Sequence, residues 1–536
     1  MKVSDYIVEY LIEKEITDVF GYPGGMVTHL MDSFSKYSDK ISAHLTYHEQ
    51  GAAFAACGYA QANNKIGIAY ATSGPGATNL ITGICNAFFD SIPTVFITGQ
   101  VNTFEATGEL KIRQRGFQET DIVSIVKPVT KYAVKVDNAD KLKYYLDYAF
   151  KISQAGRKGP VLLDIPMNIF RMEIDPDNLL GWELDEKIKA EEYPEILRAI
   201  QSSQRPLFII GNGVKNAAAV GELQKLLDKA NIPIVTTMLS VDIEPEKSYG
   251  FIGAYGSRCA NFCVAKSDLV IALGARLDVR QVGAMRNSFA PNAQIIRVDI
   301  DENELKYKVH DDEVQIQADV KKVIKYLNKN IEKLDVDVKN WIEVCNQIKR
   351  KLKGIDKRIS NIFVEKISEY IPEGVAITTD VGQNQVWVAQ SLKLKENQKV
   401  FFSGGHGAMG YSLPAAIGCA LATKNTVYSF SGDGGIQMNI QELQTIYREQ
   451  LPIKVIVFNN HALGMIRHFQ EMYFEDNFYQ TISSGGYTVP DFKAIAEAYR
   501  LPYRKIECIE EVKEDIFELE GPQFIEIEIS EPTYVF

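Results

Sequence analysis

The residues best suited to chemistry lie between 431 and 460, where the chain reads SGDGGIQMNIQELQTIYREQLPIKVIVFNN. Asp433 offers a carboxylate and Asn460 a neutral carbonyl oxygen, separated by an amphipathic helical stretch and an apolar run. Magnesium, a hard cation, takes a few protein oxygens and completes its octahedron with phosphates and water. Gly432, Gly434 and Gly435 leave the backbone open to a diphosphate, and a helix beginning there turns its N-terminal amides toward it. An Asp-Gly turn alone is common. Here 24 residues (435–458) separate Gly434 from Asn459, with an apolar strand pattern before and after. One strand–helix–strand crossover then sets both ends at the same sheet edge.

The elements that must position these residues follow from the alternation of short apolar runs with longer helical patterns, which predicts parallel sheets flanked by helices. KIGIAYATSG and IPTVFITGQ read as buried strands with a helix, ATNLITGICNAFFDS, between them, and GPVLLDIP closes the block. DPDNLLGWELDEKIKAEEYPEI, without a clear period, reads as a linker. RPLFIIGNGV, IPIVTTM, SDLVIALGAR and AQIIRVDID make a second block, and a lysine-rich helical segment over 320–358 leads to a third. That block carries GVAITTDVG, NTVYSFSGDGG, PIKVIVFNN and PQFIEIEI. The expected fold is α/β, with three doubly wound parallel-sheet domains at 1–172, 190–335 and 356–536. Each glycine-rich segment falls at the carboxyl end of a strand, where such sheets bind ligands.

Bulk properties narrow the classes. The net charge of −11 supplies no basic stripe for a nucleic-acid backbone. No run of eighteen apolar residues predicts a membrane span, and MKVSDYIVEYLIEKEI has helical spacing rather than the layout of a signal peptide. Seven scattered cysteines suit a reducing cytoplasm. Cys259 and Cys263 can share a helix face, but with no His or second Cys pair nearby they read as small core residues.

GDG, the 24-residue spacing and NN together resemble the thiamine-diphosphate binding motif, and HEQGAAFAA followed by TSGPGATN resembles the acetolactate synthase pattern across residues 48–79. The resemblance extends over nearly the whole chain. It implies pyrimidine-binding, central and diphosphate-binding domains, with thiamine diphosphate and Mg2+ as cofactors. Asp433, Asn460 and the Ala462 carbonyl become metal ligands, and Leu463, Gly464 and Met465 join the glycines of the GDG turn as cofactor contacts. Gln383 and Asn384, in DVGQNQVW, contact the diphosphate; the family usually has His at the place of Asn384, and both donate hydrogen bonds. Glu49 becomes the carboxylate that shares a proton with the pyrimidine ring, although by composition alone it is an acid favoured at a helix N-terminus. Pro75 and Asn79 line the pyrimidine pocket, and GGHGAMG supplies Gly407 and an apolar wedge, Met409, which by composition is equally a core residue. Gly25, in FGYPGG, and Phe117 and Gln118, in GFQETD, face the substrate carbonyl, where an amide and a side-chain donor stabilise a developing oxyanion. Arg280 suits a substrate carboxylate or a flavin phosphate; its plain alternative is an exposed surface arginine.

The implied activity is decarboxylation of a small 2-keto acid, such as pyruvate, followed by ligation to a second keto acid. Four departures bear on it. The family's RFDDRVTG is Arg276-Leu277-Asp278-Val279-Arg280-Gln281 here, its acceptor-shaping Trp is Phe469, a usual Lys after DIP is Met167, and the chain ends at SEPTYVF without the longer tail. A carboligase using another acceptor, such as a keto sugar, and a simple decarboxylase therefore stay open; a non-catalytic scaffold conflicts with Glu49, Asp433 and Asn460. The family's middle domain accommodates FAD, and GNGV, TTML, GFIGAYGS and GARLD lie at the matching places, so FAD is admitted but not required. A homodimer or homotetramer with active sites between subunits is implied, and a regulatory subunit is compatible with it.

Overall fold

The computed structural model describes residues 1–183, 192–334, 336–352, 354 and 358–535. The linker read at 175–196 thus lies partly outside the described residues, as do 353 and 355–357 of the lysine-rich segment. The apolar runs form three six-stranded parallel sheets flanked by helices. Strands such as β3 (Gly67–Ala71), β4 (Thr94–Gln100) and β6 (Pro160–Pro166) are buried at every residue, as sheets covered on both faces require. With β1 (Asp18–Gly21), β2 (Ser42–Leu45) and β5 (Tyr132–Lys135) they form the first sheet, in the order β2-β1-β3-β4-β6-β5.

The second sheet contains β7 (Pro206–Ile210), β8 (Ile234–Thr236), β9 (Ser248–Phe251), β10 (Leu269–Leu273), β11 (Gln294–Asp299) and β12 (Val314–Gln317). Its order, β12-β11-β10-β7-β8-β9, is that of dinucleotide-binding sheets, 3-2-1-4-5-6, read from the other edge. The third holds β13 (Ala376–Thr379), β14 (Lys399–Phe402), β15 (Val427–Gly432), β16 (Ile453–Asn459), β17 (Tyr503–Ile506) and β18 (Gln523–Glu528). Its order, β14-β13-β15-β16-β18-β17, repeats that of the first sheet. One compact unit (Met1–Glu186, Ile371–Gln385, Phe401–Pro532) carries the first and third sheets, save two residues of β14; the other (Lys187–Tyr370, Val386–Val400, Thr533–Phe536) carries the second.

Three helical expectations need correction. The stretch after β3 is two helices, Pro75–Asn79 and Ile81–Phe89, because Pro75 starts a helix earlier than the apolar period does. The lysine-rich segment divides into Val320–Lys329, a 3-10 turn at Ile331–Leu334, and Lys339–Leu352. The GDG-to-NN connection is also not one helix. Asp433–Ile436 passes through a 3-10 stretch, Gln437–Glu442, kinked at Asn439, before Leu443–Glu449. Cys259 and Cys263 do share the helix Arg258–Lys266, packed with Cys345 in an apolar cluster.

Within the first unit, the helix Glu49–Asn63 crosses the helix Ser412–Thr423 through small residues. A methyl on Gly418 would lie 1.9 Å from the Ala55 carbonyl oxygen, and one on Gly58 would lie 2.1 Å from that of Ala415. Alanine gains about 1 kcal/mol over glycine in an isolated helix. Against a packed backbone that cannot swing aside, overpacking costs about 1–3 kcal/mol or more. Gly418→Ala is therefore expected to lower Tm in a thermal scan; a raised Tm would show that the two helices separate freely.

A second link between the same halves is ionic. His44 lies between Asp18 (Nε2, 2.8 Å) and Glu449 (Nδ1, 2.6 Å). Burial alone would depress its pKa, but the two carboxylates outweigh burial and push it up to about 9. A histidine raised on folding gives stability that is whole below about pH 6.5 and lost as pH climbs through about 9. Wild-type Tm should therefore fall across that window more steeply than the Tm of His44→Gln. Parallel pH profiles for the two proteins would rule out His44 as the source.

Candidate active site

Glu49 opens its helix behind the N-cap His48, whose Nδ1 accepts from the Gln50 amide at 3.0 Å. Glu49 is 7% exposed, and Asn79 Nδ2 donates to its Oε2 at 2.9 Å. Gly76 allows this approach, since a methyl there would stand 3.2 Å from Glu49 Oε1. The loop after β1 reaches the same place: the Met26 amide, next to Gly25, donates to Thr72 Oγ1 at 3.2 Å. Gln118 takes a left-handed φ of +63° and packs on Gly74, where an added methyl would lie 2.9 Å from Gln118 Cβ. Its loop is tied by Glu119, whose carboxylate accepts from the amides of Thr107, Arg115 and Gly116. Gly25, Glu49, Pro75, Asn79 and Gln118 thus gather beyond the ends of β1 and β3, where successive connections diverge to opposite sides of the sheet. Gly25 and Pro75 are exposed there, and Phe117 is 78% exposed.

The third sheet repeats the arrangement between β13 and β15. Asp433 follows β15 directly and is buried; the Tyr487 hydroxyl donates to its Oδ1 at 3.0 Å and the Ala462 amide to its Oδ2 at 3.3 Å. Burial, opposed by these donors, pushes its pKa up to about 6. Asn460 Nδ2 donates to Gln383 Oε1 at 3.3 Å, and Gly464 completes that corner, because a methyl there would fall 2.0 Å from the same oxygen. Gly434 lies under Leu463 and Met409, 2.6 Å and 3.6 Å from where its Cβ would be. Asn384 is buried and spends one N–H on the Asp380 carbonyl at 2.9 Å. Gly432 ends β15 opposite Phe458, Gly435 stands against the Asp380 carboxylate, Gly407 turns with φ +68°, and Met465 is half-buried behind Gly464. One carboxylate, one side-chain amide and backbone oxygens fit magnesium, which keeps phosphate and water ligands of its own.

Two further expected substrate residues are exposed. Arg280 belongs to the other compact unit, exposed, with its guanidinium 6.0 Å over the Tyr255 ring. Phe469 is 43% exposed on the helix Gly464–Tyr473 and stacks on Tyr473 at 5.9 Å.

Sequence reasoning missed Asp380 and Tyr487. Asp380 is fully buried, and it accepts from the amides of Val381 (2.8 Å) and Gly410 (2.9 Å) and from Ser431 Oγ (3.3 Å). It thereby ties the loops carrying Gln383, Met409 and Asp433, while burial pushes its pKa up to about 6. The only signal was its place at a strand end, before Val381-Gly382. Tyr487 lies 54 residues from Asp433 in an irregular segment, and no spacing announces it.

Three family models match the chain: the N-terminal TPP binding domain of thiamine pyrophosphate enzymes over residues 1–125, their central domain over 194–327, and their C-terminal TPP binding domain over 380–527. The large subunit of acetolactate synthase isozyme 2 from Escherichia coli K12 is 34% identical, over 99% of this chain and 96% of its own length. The acetolactate synthase large subunit of Lactococcus lactis is 35% identical over 99% and 93%, and chloroplastic acetolactate synthase 1 of Zea mays is 35% identical over 100% and 86%. The chain therefore belongs to the acetolactate synthase large-subunit family of thiamine-pyrophosphate-dependent enzymes.

Proposed function

We propose that this enzyme decarboxylates pyruvate and joins the resulting two-carbon unit to a second pyruvate, using thiamine diphosphate held by Mg2+. The observation that carries the reading is the pairing of Asn79-held Glu49 in one crevice with Asp433 and the Asn460–Ala462 turn in a second crevice of the same topology. Bound thiamine diphosphate would supply the carbon nucleophile and electron sink that a 2-keto acid needs to lose carbon dioxide. Asp433, Asn460 and the Ala462 carbonyl would hold the metal, and Gln383 and Asn384 would meet the diphosphate. Glu49 would share a proton with the pyrimidine nitrogen, its orientation fixed by Asn79. Gln118 and the backbone at Gly25 would donate to the substrate carbonyl oxygen as charge develops there. Phe117 and Phe469, both exposed in the isolated chain, would exclude water once substrate is enclosed.

The resemblance further supports a dimer or tetramer in which Glu49 of one protomer and Asp433 of its partner serve one site, and FAD in the second sheet's domain. The dinucleotide-type strand order there, with glycines 211, 213 and 274 at the ends of β7 and β10, favours a nucleotide cofactor. One observation favours the second reading, a different acceptor: Phe469 leaves a smaller ring where the family's Trp shapes the acceptor pocket. Incubating purified protein with pyruvate, thiamine diphosphate and magnesium tests both readings. Carbon dioxide with acetolactate is the expected result, and release of free aldehyde instead would overturn the ligation step. A visible absorption spectrum of the same sample decides the flavin.

A further inference from the structure

Glu442 has no part in the roles above, yet its carboxylate is fully buried against the residues that lead into Glu49. The Tyr47 amide donates to Glu442 Oε1 at 2.8 Å, the His48 amide donates to the same carboxylate, and Thr445 Oγ1 donates to Oε2 at 2.8 Å. Gly51 makes room for it, because a methyl there would fall 2.7 Å from Oε1. One turn earlier, Asn439 leaves helical geometry (φ −135°, ψ 32°) and donates to Gln50 Oε1 at 3.0 Å and to the Gly410 carbonyl at 2.8 Å. The neighbours of Glu49 on both sides, His48 and Gln50, are therefore gripped by the short segment Asn439–Glu442.

We infer that Glu442 is a positioning residue for Glu49, fixing the two amides ahead of the helix start and so the direction of the carboxylate that meets the cofactor. The inference rests on the reading of Glu49 as the cofactor-activating acid. A carboxylate accepts at both oxygens, so three donors converge on it without conflict. Glutamine would turn its NH2 either toward the backbone amides, donor against donor, or toward Thr445, whose hydroxyl then gives up this bond for its longer one to the Leu45 carbonyl at 3.3 Å. The first choice breaks the hold on the two amides, and the second weakens it, because a neutral amide oxygen is a weaker acceptor than a carboxylate.

The test uses the full chain with saturating thiamine diphosphate and Mg2+, in wild type, Glu49→Gln, Glu442→Gln and Gly51→Ala. Exchange of the bound cofactor's thiazolium C2 proton with deuterium is measured alongside kcat, KM for pyruvate, and Tm. Exchange and kcat are expected to fall together in Glu442→Gln, roughly 10–100-fold as for other supporting hydrogen-bond partners, with KM unchanged. Gly51→Ala, which pushes the carboxylate without removing it, should change them in the same direction and decides the matter if Glu442→Gln does not fold. Wild-type exchange in both variants, whatever their Tm, would overturn the positioning role. Slow exchange in Glu49→Gln beside fast exchange in the other two would sink this inference alone. Fast exchange in Glu49→Gln would sink the reading beneath it as well.

Discussion

Glu49→Gln is expected to lower kcat for pyruvate decarboxylation by roughly 10²–10⁴-fold, the span that a positioned proton-transfer group supplies. Glutamine keeps the length and the acceptor oxygen for Asn79 Nδ2, so the hydrogen bond at 2.9 Å can survive. What disappears is the group able to share a proton with a ring nitrogen. Loss of kcat with little change in KM would identify an interaction made in the transition state rather than in substrate binding. Asn79→Ala should have a smaller effect, because Glu49 retains its helix start and its carboxyl group and loses only one orienting donor. Equal losses in the two variants would mean that orientation, and not the proton, is what Glu49 contributes. Wild-type rates in Glu49→Gln would remove it from the mechanism.

How far the sequence announced this depends on burial. The long central strands, fully covered, were legible as continuous apolar runs: β4, β6, β10 and β16 are buried at every residue. Seven strands were not read, and six of them, β2, β5, β9, β12, β14 and β17, are the edges of the three sheets. An edge is covered unevenly, so its pattern is mixed: β5 is half-buried throughout and β17 buries only Ile506. The seventh, β1, is interior and buried, but its four residues, Asp18–Gly21, hold only two apolar side chains between an acid and a glycine.

The residues proposed to hold the cofactor are legible for a different reason. Their types and spacing are those that one rigid ligand would require of two strand ends, and the pattern GDG–24 residues–NN is readable even though the helix between them breaks at Asn439. The residues that support them lack such a constraint. Asp380, Tyr487 and Glu442 act through contacts made only when distant loops meet, at sequence separations of 30, 54 and 395 residues for Gly410, Asp433 and Tyr47 respectively. No local pattern encodes those meetings; a buried carboxylate at a strand end is visible only in three dimensions.

The same distinction sets the expected size of the second effect. Asp433→Ala removes the one carboxylate of the proposed metal site. Removing one partner of a buried, hydrogen-bonded charge pair costs about 3–5 kcal/mol, which is roughly 10²–10⁴-fold in affinity at 1.4 kcal/mol per decade. Magnesium-dependent binding of thiamine diphosphate, followed by calorimetry, should weaken by that amount. A ligand at a hundred times its Kd stabilises a protein by about 2.7 kcal/mol, so the rise in Tm on adding cofactor and metal to wild type should vanish in the variant. Tyr487→Phe leaves the carboxylate in place and removes only the hydroxyl that donates to Oδ1 at 3.0 Å. It should cost roughly 10–100-fold, as supporting hydrogen bonds around metal ligands do. If Asp433→Ala binds the cofactor with wild-type affinity and the same magnesium dependence, the metal lies elsewhere, and the crevice between β13 and β15 is not where the diphosphate is held.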